Sequence, residues 1–233
     1  MIPRLLVAAP LAAGATSAAT PAQAHYLGTV LRCGAGDSVH LFNGRDGEWQ
    51  ARIGELRRDR ATLTVETLLR PQAADPDLWL AFALLKRDAT DLVVQKATEL
   101  GVSALLPVIT ERTNTSRINE ARLTAIATEA AEQCERLTIP TLHTPSRLPD
   151  LLANWPSGRT LYAAIERTNA QPPKPTATQA ALLVGPEGGF SPAELDAMLR
   201  HPFVTPVGLG PRVLRAETAC VAGLALLQPP WCG

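Results

Sequence analysis

The stretch that decides the fold is Ala180–Glu194 (AALLVGPEGGFSPAE). It begins with an apolar run of strand length that ends at Gly185, and the signals that start a helix follow directly. Ser191 can cap that helix, Pro192 suits its first position, and Glu194 lies three residues past the cap, where it can close a capping box. The stretch therefore predicts a buried strand, a glycine turn and a helix.

A second stretch, Val207–Ala219 (VGLGPRVLRAETA), repeats this order, and the small apolar residues that continue to Leu227 predict another helix. Two strand–turn–helix units predict two backbone-rich loops side by side at the carboxyl ends of parallel strands. Open α/β sheets bind their ligands at that edge. The loops are therefore the expected active site.

Neither loop matches a nucleotide-binding motif. A dinucleotide fingerprint needs an acidic residue about twenty positions after its glycines, but no Asp or Glu lies between Asp196 and Glu217. A phosphate-binding loop of the Walker type needs a Gly-Lys pair, which the sequence lacks. A purely turn-forming role for Gly185 and Gly210 stays open.

Both stretches resemble the RsmE family of SPOUT methyltransferases, in the segments Leu183–Phe190 and Leu209–Ala219. The similarity continues almost end to end through shorter matches: Ile2–Arg4, His25, Val30–Arg32, Lys96, Glu99–Val102, Glu111–Arg112 and Glu129–Gln133. Ala216 departs from the family, which more often carries threonine there, whereas the residues on either side match.

The resemblance implies a 16S ribosomal RNA uridine N3-methyltransferase that uses S-adenosylmethionine. It implies a small PUA-like β-barrel that binds RNA at residues 1–70, followed by a SPOUT-type α/β domain with a C-terminal trefoil knot at residues 75–233. It also implies a homodimer, because enzymes of this kind complete each active site across the subunit interface. The expected substrate is 16S ribosomal RNA within the small ribosomal subunit.

The residue pattern agrees with this division. Short strands with turn residues between them fill residues 37–69, which indicates a small all-β domain. From Leu78 onward strands alternate with helices, which favours a mostly parallel sheet with helices on both faces. Asp88 is expected to cap the helix that runs to Leu100.

The site residues are assigned on the two stretches. The expected cofactor-binding residues are Leu183, Val184, Gly185, Pro186, Glu187, Gly188, Gly189, Leu209, Gly210, Pro211, Val213, Leu214, Thr218 and Ala219. Arg215 is the expected catalytic residue, with Arg212 second, because a guanidinium can stabilise the anion that forms on the uracil ring. An ion pair of Arg215 with Glu187 or Glu217 is the structural alternative. Glu217 is a further catalytic candidate, although Glu187 or water can equally take the proton.

RNA contacts are expected from local arginines, since the net charge of the chain is zero. The resemblance assigns these contacts to Arg4, Arg32, Arg45 and Arg112. The cysteines at positions 33, 134, 220 and 232 are scattered, which predicts no metal site and no disulfide framework. Residues 1–24 imitate a secretory signal, but Pro10 interrupts the apolar run, so we expect a cytoplasmic protein without a membrane span.

Two other function classes stay open. A non-catalytic RNA-binding protein would share the β-domain but would not need both glycine turns. A dinucleotide-dependent oxidoreductase would share the sheet but should carry the missing acidic residue.

Overall fold

The computed structural model describes residues 2–73, 75–166, 170–174 and 179–228. The chain divides into two compact units, one made of residues 1–74 with 131–139 and the other of residues 75–130 with 140–233. The first unit therefore includes a segment that the sequence analysis assigned to the second domain. Among the described residues, no helix is both long and apolar enough to cross a membrane.

Unit 1 is built on a five-stranded sheet in the order β1-β3-β4-β5-β2. The first strand pairs parallel with the third, and the remaining pairs are antiparallel. Alternating apolar residues of these strands face a buried core that includes Val39, Leu41, Ile53 and Leu63. The strands are β1 (Arg4–Leu6), β2 (Thr16–Ala19), β3 (Ser38–Phe42), β4 (Glu48–Leu56) and β5 (Ala61–Arg70).

The segment that imitates a secretory signal is folded into unit 1. After β2, helix α1 (Pro21–His25) begins with a capping box between Thr20 and Gln23. A π-helical turn, Tyr26–Val30, continues it. Ala24 and Leu27 point into the core of the unit, so this part of the chain has the local signals and the burial of a folded element.

Arg4 ties the start of unit 1 to its distant segment 131–139. Its guanidinium pairs with the buried carboxylate of Glu48 and donates to the carbonyl oxygens of Ala131 at 2.9 Å, Glu132 at 3.0 Å and Arg136 at 2.9 Å. The backbone amide of Leu6 adds a hydrogen bond to the Glu132 carboxylate at 2.9 Å. Burial in this place is tolerable for a guanidinium because nearly all its donors are satisfied.

Unit 2 is a parallel sheet in the order β12-β10-β11-β6-β7-β8, with β9 also pairing with β7. Every strand pair in it is parallel, as the alternation of strands and helices predicts. The strands are β6 (Leu78–Ala83), β7 (Ala104–Ile109), β8 (Thr141–Leu142), β9 (Ser146–Arg147), β10 (Thr160–Ala164), β11 (Ala180–Val184) and β12 (Val204–Val207).

Helices cover both faces of this sheet. The helices are α2 (Arg87–Glu99), α3 (Glu120–Gln133), α4 (Leu148–Ala153), α5 (Pro192–Leu199) and α6 (Ala216–Leu227). Side chains of α2, α6 and the first part of α3 share one apolar cluster with Leu80, Phe82 and Leu182. Side chains of α4 and α5 share the other with Ala81, Ala163 and Leu183. The α/β expectation is confirmed.

One local expectation was wrong. Asp88 does not cap α2, because the helix begins two residues earlier, with Lys86 at the N-cap and no side chain bonded to its first amides. Asp88 lies instead within the first turn, where a carboxylate still favours the helix dipole.

Candidate active site

The glycine turns lie at the carboxyl edge of the parallel sheet, after β11 and after β12. The two strands that lead into them are not neighbours in the sheet, because β10 lies between them and pairs with both. The loop after β10 therefore lies at this edge between the two turns, and it contains Glu166, which sequence reasoning did not assign to the site. The topology brings all the expected cofactor-binding residues to this edge, on the end of β11, in the two turns and in the first turn of α6.

The first turn is fixed by the helix that follows it. The Ser191 hydroxyl accepts from the Glu194 amide at 3.1 Å, and the Glu194 carboxylate accepts from the Ser191 amide at 2.9 Å, which is the predicted capping box. Phe190 and Leu195 stand on either side of the cap and belong to one apolar cluster, in the positions of a hydrophobic staple. Gly189 has a φ of +69° and its amide donates to the Pro186 carbonyl.

A segment after β7 braces the same turn. The Glu194 carboxylate, which is buried, also accepts from the backbone amide of Glu111 at 2.8 Å. Arg112 donates to the carbonyl oxygen of Gly188 at 2.7 Å. Arg112 was expected to contact RNA; the structure places one of its nitrogens against the glycine turn, while the side chain as a whole is exposed. This bracing role joins residues far apart in sequence, so no local pattern could have revealed it.

Glu166 is a second residue that the sequence analysis missed. It follows β10, and its carboxylate lies against the first turn, where a Cβ atom built on Gly189 would come within 3.0 Å of Glu166 Oε1. Because the exposed Glu166 side chain can move aside, the positive φ of Gly189 is the stronger reason for glycine at that position.

The second turn contains backbone amides that have no hydrogen-bond acceptor among the described residues. Gly210 has a φ of +117°, and a Cβ atom built on it would meet no atom within 4 Å. The amides of Leu209, Val213 and Leu214 form no hydrogen bond with the described part of the chain. The side chains of Leu209 and Leu214 pack against the apolar cluster below. A flat heterocycle with ring nitrogen acceptors, such as adenine, could accept hydrogen bonds from these amides and rest on the apolar side chains beneath them.

The arginines of the second turn are available for a ligand. Arg215 is the N-cap residue of α6 and its side chain is exposed. It forms no ion pair with Glu187 or Glu217, and no hydrogen bond from its guanidinium reaches any residue that the structure describes. Arg212 is likewise exposed. The alternative in which Arg215 braces the loop through an ion pair has no support in this geometry.

Helix α6 is held close to the sheet by small residues. A Cβ atom built on Gly223 would come within 2.6 Å of the Leu182 side chain, so any larger residue there would force Leu182 to move. Ala216, Ala219 and Cys220 are buried in the same contact, and burial raises the pKa of the Cys220 thiol. Cys33 and Cys134 are free thiols as well, and Cys232 lies outside the described residues. Within the described ranges no three His, Cys, Asp or Glu side chains gather as a metal site would require.

The arginines expected to bind RNA in unit 1 differ in availability. Arg4 is unsuited to that role, because it is only 9% exposed and its donors are committed to Glu48 and to backbone carbonyls. Arg32 is exposed and has a φ of 57°, just after the π-helical turn. Arg45 is exposed and uses one donor on the Ala8 carbonyl at 3.1 Å. Two of the three therefore present charge to solvent.

Comparison with known protein families identifies both units. Residues 73–228 match the RNA methyltransferase domain, and residues 19–66 match the RNA methyltransferase PUA domain. The chain is 33% identical to the ribosomal RNA small subunit methyltransferase E of Rickettsia conorii, over 88% of this chain and 85% of that protein. It is 35% identical to the enzyme of the same name from Synechocystis, over 97% of this chain and 77% of that protein.

Solved structures give the same result. A putative methyltransferase from Legionella pneumophila, solved in complex with the cofactor S-adenosylmethionine, is 30% identical with a TM-score of 0.85, over 97% of this chain and 96% of that one. The ribosomal RNA small subunit methyltransferase E of Neisseria gonorrhoeae, also bound to S-adenosylmethionine, is 29% identical with a TM-score of 0.82 over the same shares. The chain, with its PUA-like unit and its parallel α/β unit, therefore belongs to the RsmE family of ribosomal RNA small subunit methyltransferases.

Proposed function

We propose that the protein transfers the methyl group of S-adenosylmethionine to N3 of a uridine in 16S ribosomal RNA. The observation that carries this proposal is the second turn, in which unused backbone amides lie above an apolar floor next to an unpaired Arg215. Family membership supports the cofactor and the RNA substrate. That the target nucleotide is a uridine, and that it is methylated at N3, is the more specific part of the proposal.

Two groups of residues would hold the cofactor. The backbone of Leu209 and Leu214 offers donors to the adenine, and the turn Gly185–Gly189 lets the remainder of the molecule approach the main chain without bulky side chains in the way. When bound, S-adenosylmethionine supplies an electrophilic methyl group, so that the protein must orient the two reactants and exclude water. The braces from Glu111 and Arg112 support this because they limit movement of the first turn.

Arg215 is proposed as the catalytic residue. Uracil N3 carries a proton at neutral pH, and its lone pair becomes a good nucleophile only as that proton leaves. A guanidinium beside the ring oxygens would stabilise the negative charge that develops, which is commonly a large contribution to catalysis. Because Arg215 makes no ion pair with described residues, its donors need not be released from another partner first. Glu217, Glu187 and water are the candidate acceptors of the proton.

The remaining proposals concern assembly and place. We propose a homodimer, a trefoil knot around α6, and action in the cytoplasm on 16S ribosomal RNA of the small ribosomal subunit. The small residues Ala216, Ala219 and Gly223 do not support the dimer, because α6 buries them within its own subunit. The exposed Val213 and Leu226 offer apolar surface for it, at 58% and 41% exposure. Light scattering at micromolar concentration tests the dimer, which a monomeric mass with full activity would refute.

The methyl-transfer proposal is tested in two steps. Calorimetry should show binding of S-adenosylmethionine and none of NAD. Incubation with cofactor and small subunits from a strain that lacks the enzyme should then add one methyl group at a uridine N3, located by mass spectrometry of RNA digests. Cofactor binding without transfer to any RNA would favour a non-catalytic RNA-binding protein, whereas NAD binding would favour the oxidoreductase.

A further inference from the structure

Unit 2 contains a basic cleft that the proposed methyl-transfer site does not use. It has a volume of about 240 Å³ and lies between the segment that follows β6 and the segment that leads into α3. Lys86, Arg87, Arg117 and Arg122 line it together with neutral residues, and no Asp or Glu is among the described residues of its wall. In a chain with zero net charge, such a one-sided lining is a local excess of positive charge that attracts anions.

Most of this charge has no internal partner. Arg122 is paired with Asp91, with 2.6 Å between Nη1 and Oδ2. The exposed side chains of Lys86, Arg87 and Arg117 form no ion pair with any residue in the described part of the chain. Lys86 is also the N-cap of α2, whose first amides receive no side-chain cap, so the partial positive charge of the helix start adds to that of the side chains.

The cleft lies at the same edge of the sheet as the glycine turns. Its residues follow the carboxyl ends of β6 and β7, and β6 is the direct neighbour of β11. One segment connects the two places, because residues 110–119 begin with the brace from Arg112 to Gly188 and end in the wall of the cleft. A strand of nucleic acid that reaches the methyl donor from this side would pass over the cleft.

We propose that this cleft binds backbone phosphates of the RNA strand that carries the target nucleotide. Three cations, two on the segment after β6 and one on the segment before α3, lie around an open cleft, and this arrangement suits successive phosphates better than one small anion. Such contacts position a nucleic acid without reading its sequence. This inference rests on the proposed function, and it adds a second RNA contact region, within the methyltransferase unit, to the one expected in the PUA-like unit.

The test compares the wild-type protein with the double variant Arg87→Ala/Arg117→Ala. Affinity for purified 16S ribosomal RNA is measured over a series of salt concentrations. Affinity falls as salt rises, and the plot of log affinity against log salt should become shallower in the double variant. The magnitude of its slope should decrease by about 2, roughly 1 for each lost phosphate contact. Calorimetry with S-adenosylmethionine should give an unchanged affinity, and the single-turnover rate at saturating RNA should stay within about twofold, because the lost contacts belong to RNA binding.

Two further variants separate charge from structure. Arg87→Lys/Arg117→Lys should restore most of the slope, since lysine keeps the positive charge that phosphate contacts require. Arg200→Ala removes an exposed arginine at the end of α5, at the opposite edge of the sheet, and should leave the slope unchanged.

An unchanged slope in the alanine double variant would overturn the inference, and so would loss of cofactor binding, which would make the cleft part of the cofactor site. The wild-type measurement distinguishes this failure from failure of the proposed function. If the wild-type protein binds no S-adenosylmethionine or methylates no 16S ribosomal RNA, the proposed function itself fails, whatever the slopes show.

Discussion

Replacing Gly185 by alanine would test the first turn with a single methyl group. The φ of Gly185 lies outside the left-handed region, so alanine can adopt its backbone conformation, and the obstacle is steric. The new Cβ atom would lie 3.0 to 3.2 Å from three ring carbons of Phe190. Carbon atoms prefer a separation of about 3.5–4.0 Å, so the ring or the turn must move by roughly half an ångström.

The expected destabilisation follows from that displacement. Phe190 is only 8% exposed and packs in the cluster beneath α5, where overpacking costs about 1–3 kcal/mol. Alanine also restricts the unfolded chain, which offsets about 0.4–1 kcal/mol. We therefore expect Gly185→Ala to lower the free energy of unfolding by about 0.5–2 kcal/mol. A displaced turn should weaken S-adenosylmethionine binding by about tenfold, the equivalent of about 1.4 kcal/mol.

A double-mutant cycle assigns this effect to Phe190. Gly185→Ala, Phe190→Leu and the double variant are compared with the wild-type protein by chemical denaturation and by calorimetry with S-adenosylmethionine. Leucine lacks the outer ring carbons that alanine would meet. The loss of unfolding free energy in the double variant should therefore be about 1 kcal/mol smaller than the sum of the losses in the two single variants. Strictly additive effects, or an unchanged cofactor affinity in Gly185→Ala, would refute the steric explanation.

Three other substitutions probe separate parts of the molecule. Gly210→Ala meets no neighbouring atom, so its cost should be the backbone strain of about 1–2 kcal/mol at positive φ; calorimetry should show weaker cofactor binding that Phe190→Leu does not rescue. Arg215→Ala should slow single-turnover methyl transfer by about 10²–10³-fold with little change in cofactor affinity, and higher pH should partly restore the rate; loss of cofactor binding without this rescue would make Arg215 a structural residue. Burial alone would raise the pKa of Glu48, but hydrogen bonds from Arg4 and Arg70 lower it below the usual value. The ionised carboxylate therefore stabilises the fold above its unfolded pKa of about 4.3, and this stabilisation is lost as the pH falls through the lower pKa of the folded state. Urea midpoints should accordingly decrease less on acidification in Glu48→Gln than in the wild-type protein, and parallel curves would contradict the assignment.

Two features that depend on neighbouring residues, a helix cap and a buried strand, were predicted correctly from the sequence. The capping box of α5 needs only Ser191 and Glu194, three residues apart, and the structure contains both of its hydrogen bonds. The buried strand β11 is apolar at every position because both of its faces are covered, as expected for a central parallel strand. Such signals are local and specific.

Features that depend on tertiary contacts were not predictable in this way. The insertion of β10 between β11 and β12 is a matter of strand order, which no residue pattern near the glycine turns reports. Arg4 has the exposed character of a surface residue in sequence, yet partners up to 132 positions away bury it. Arg112 similarly acquires its role from Gly188, which lies in another loop. Local sequence signals therefore predict the two turns, whereas the contacts that hold these turns depend on the tertiary fold.

The attachment of β1 to residues 131–136 has a consequence for how the protein is made. A ribosome that has synthesised residue 74 has released only part of unit 1, because the carbonyl groups that surround Arg4 have not yet been added. At a synthesis rate of about 5–20 residues per second, the missing segment arrives roughly 3–13 s later. During that interval Phe42 lacks Ala131 and Leu137, its partners in a small apolar cluster. The contacts of Arg4 and Phe42 with this segment therefore form only after the nascent chain has passed well into the methyltransferase unit, which leaves time for a chaperone to bind the uncovered patch.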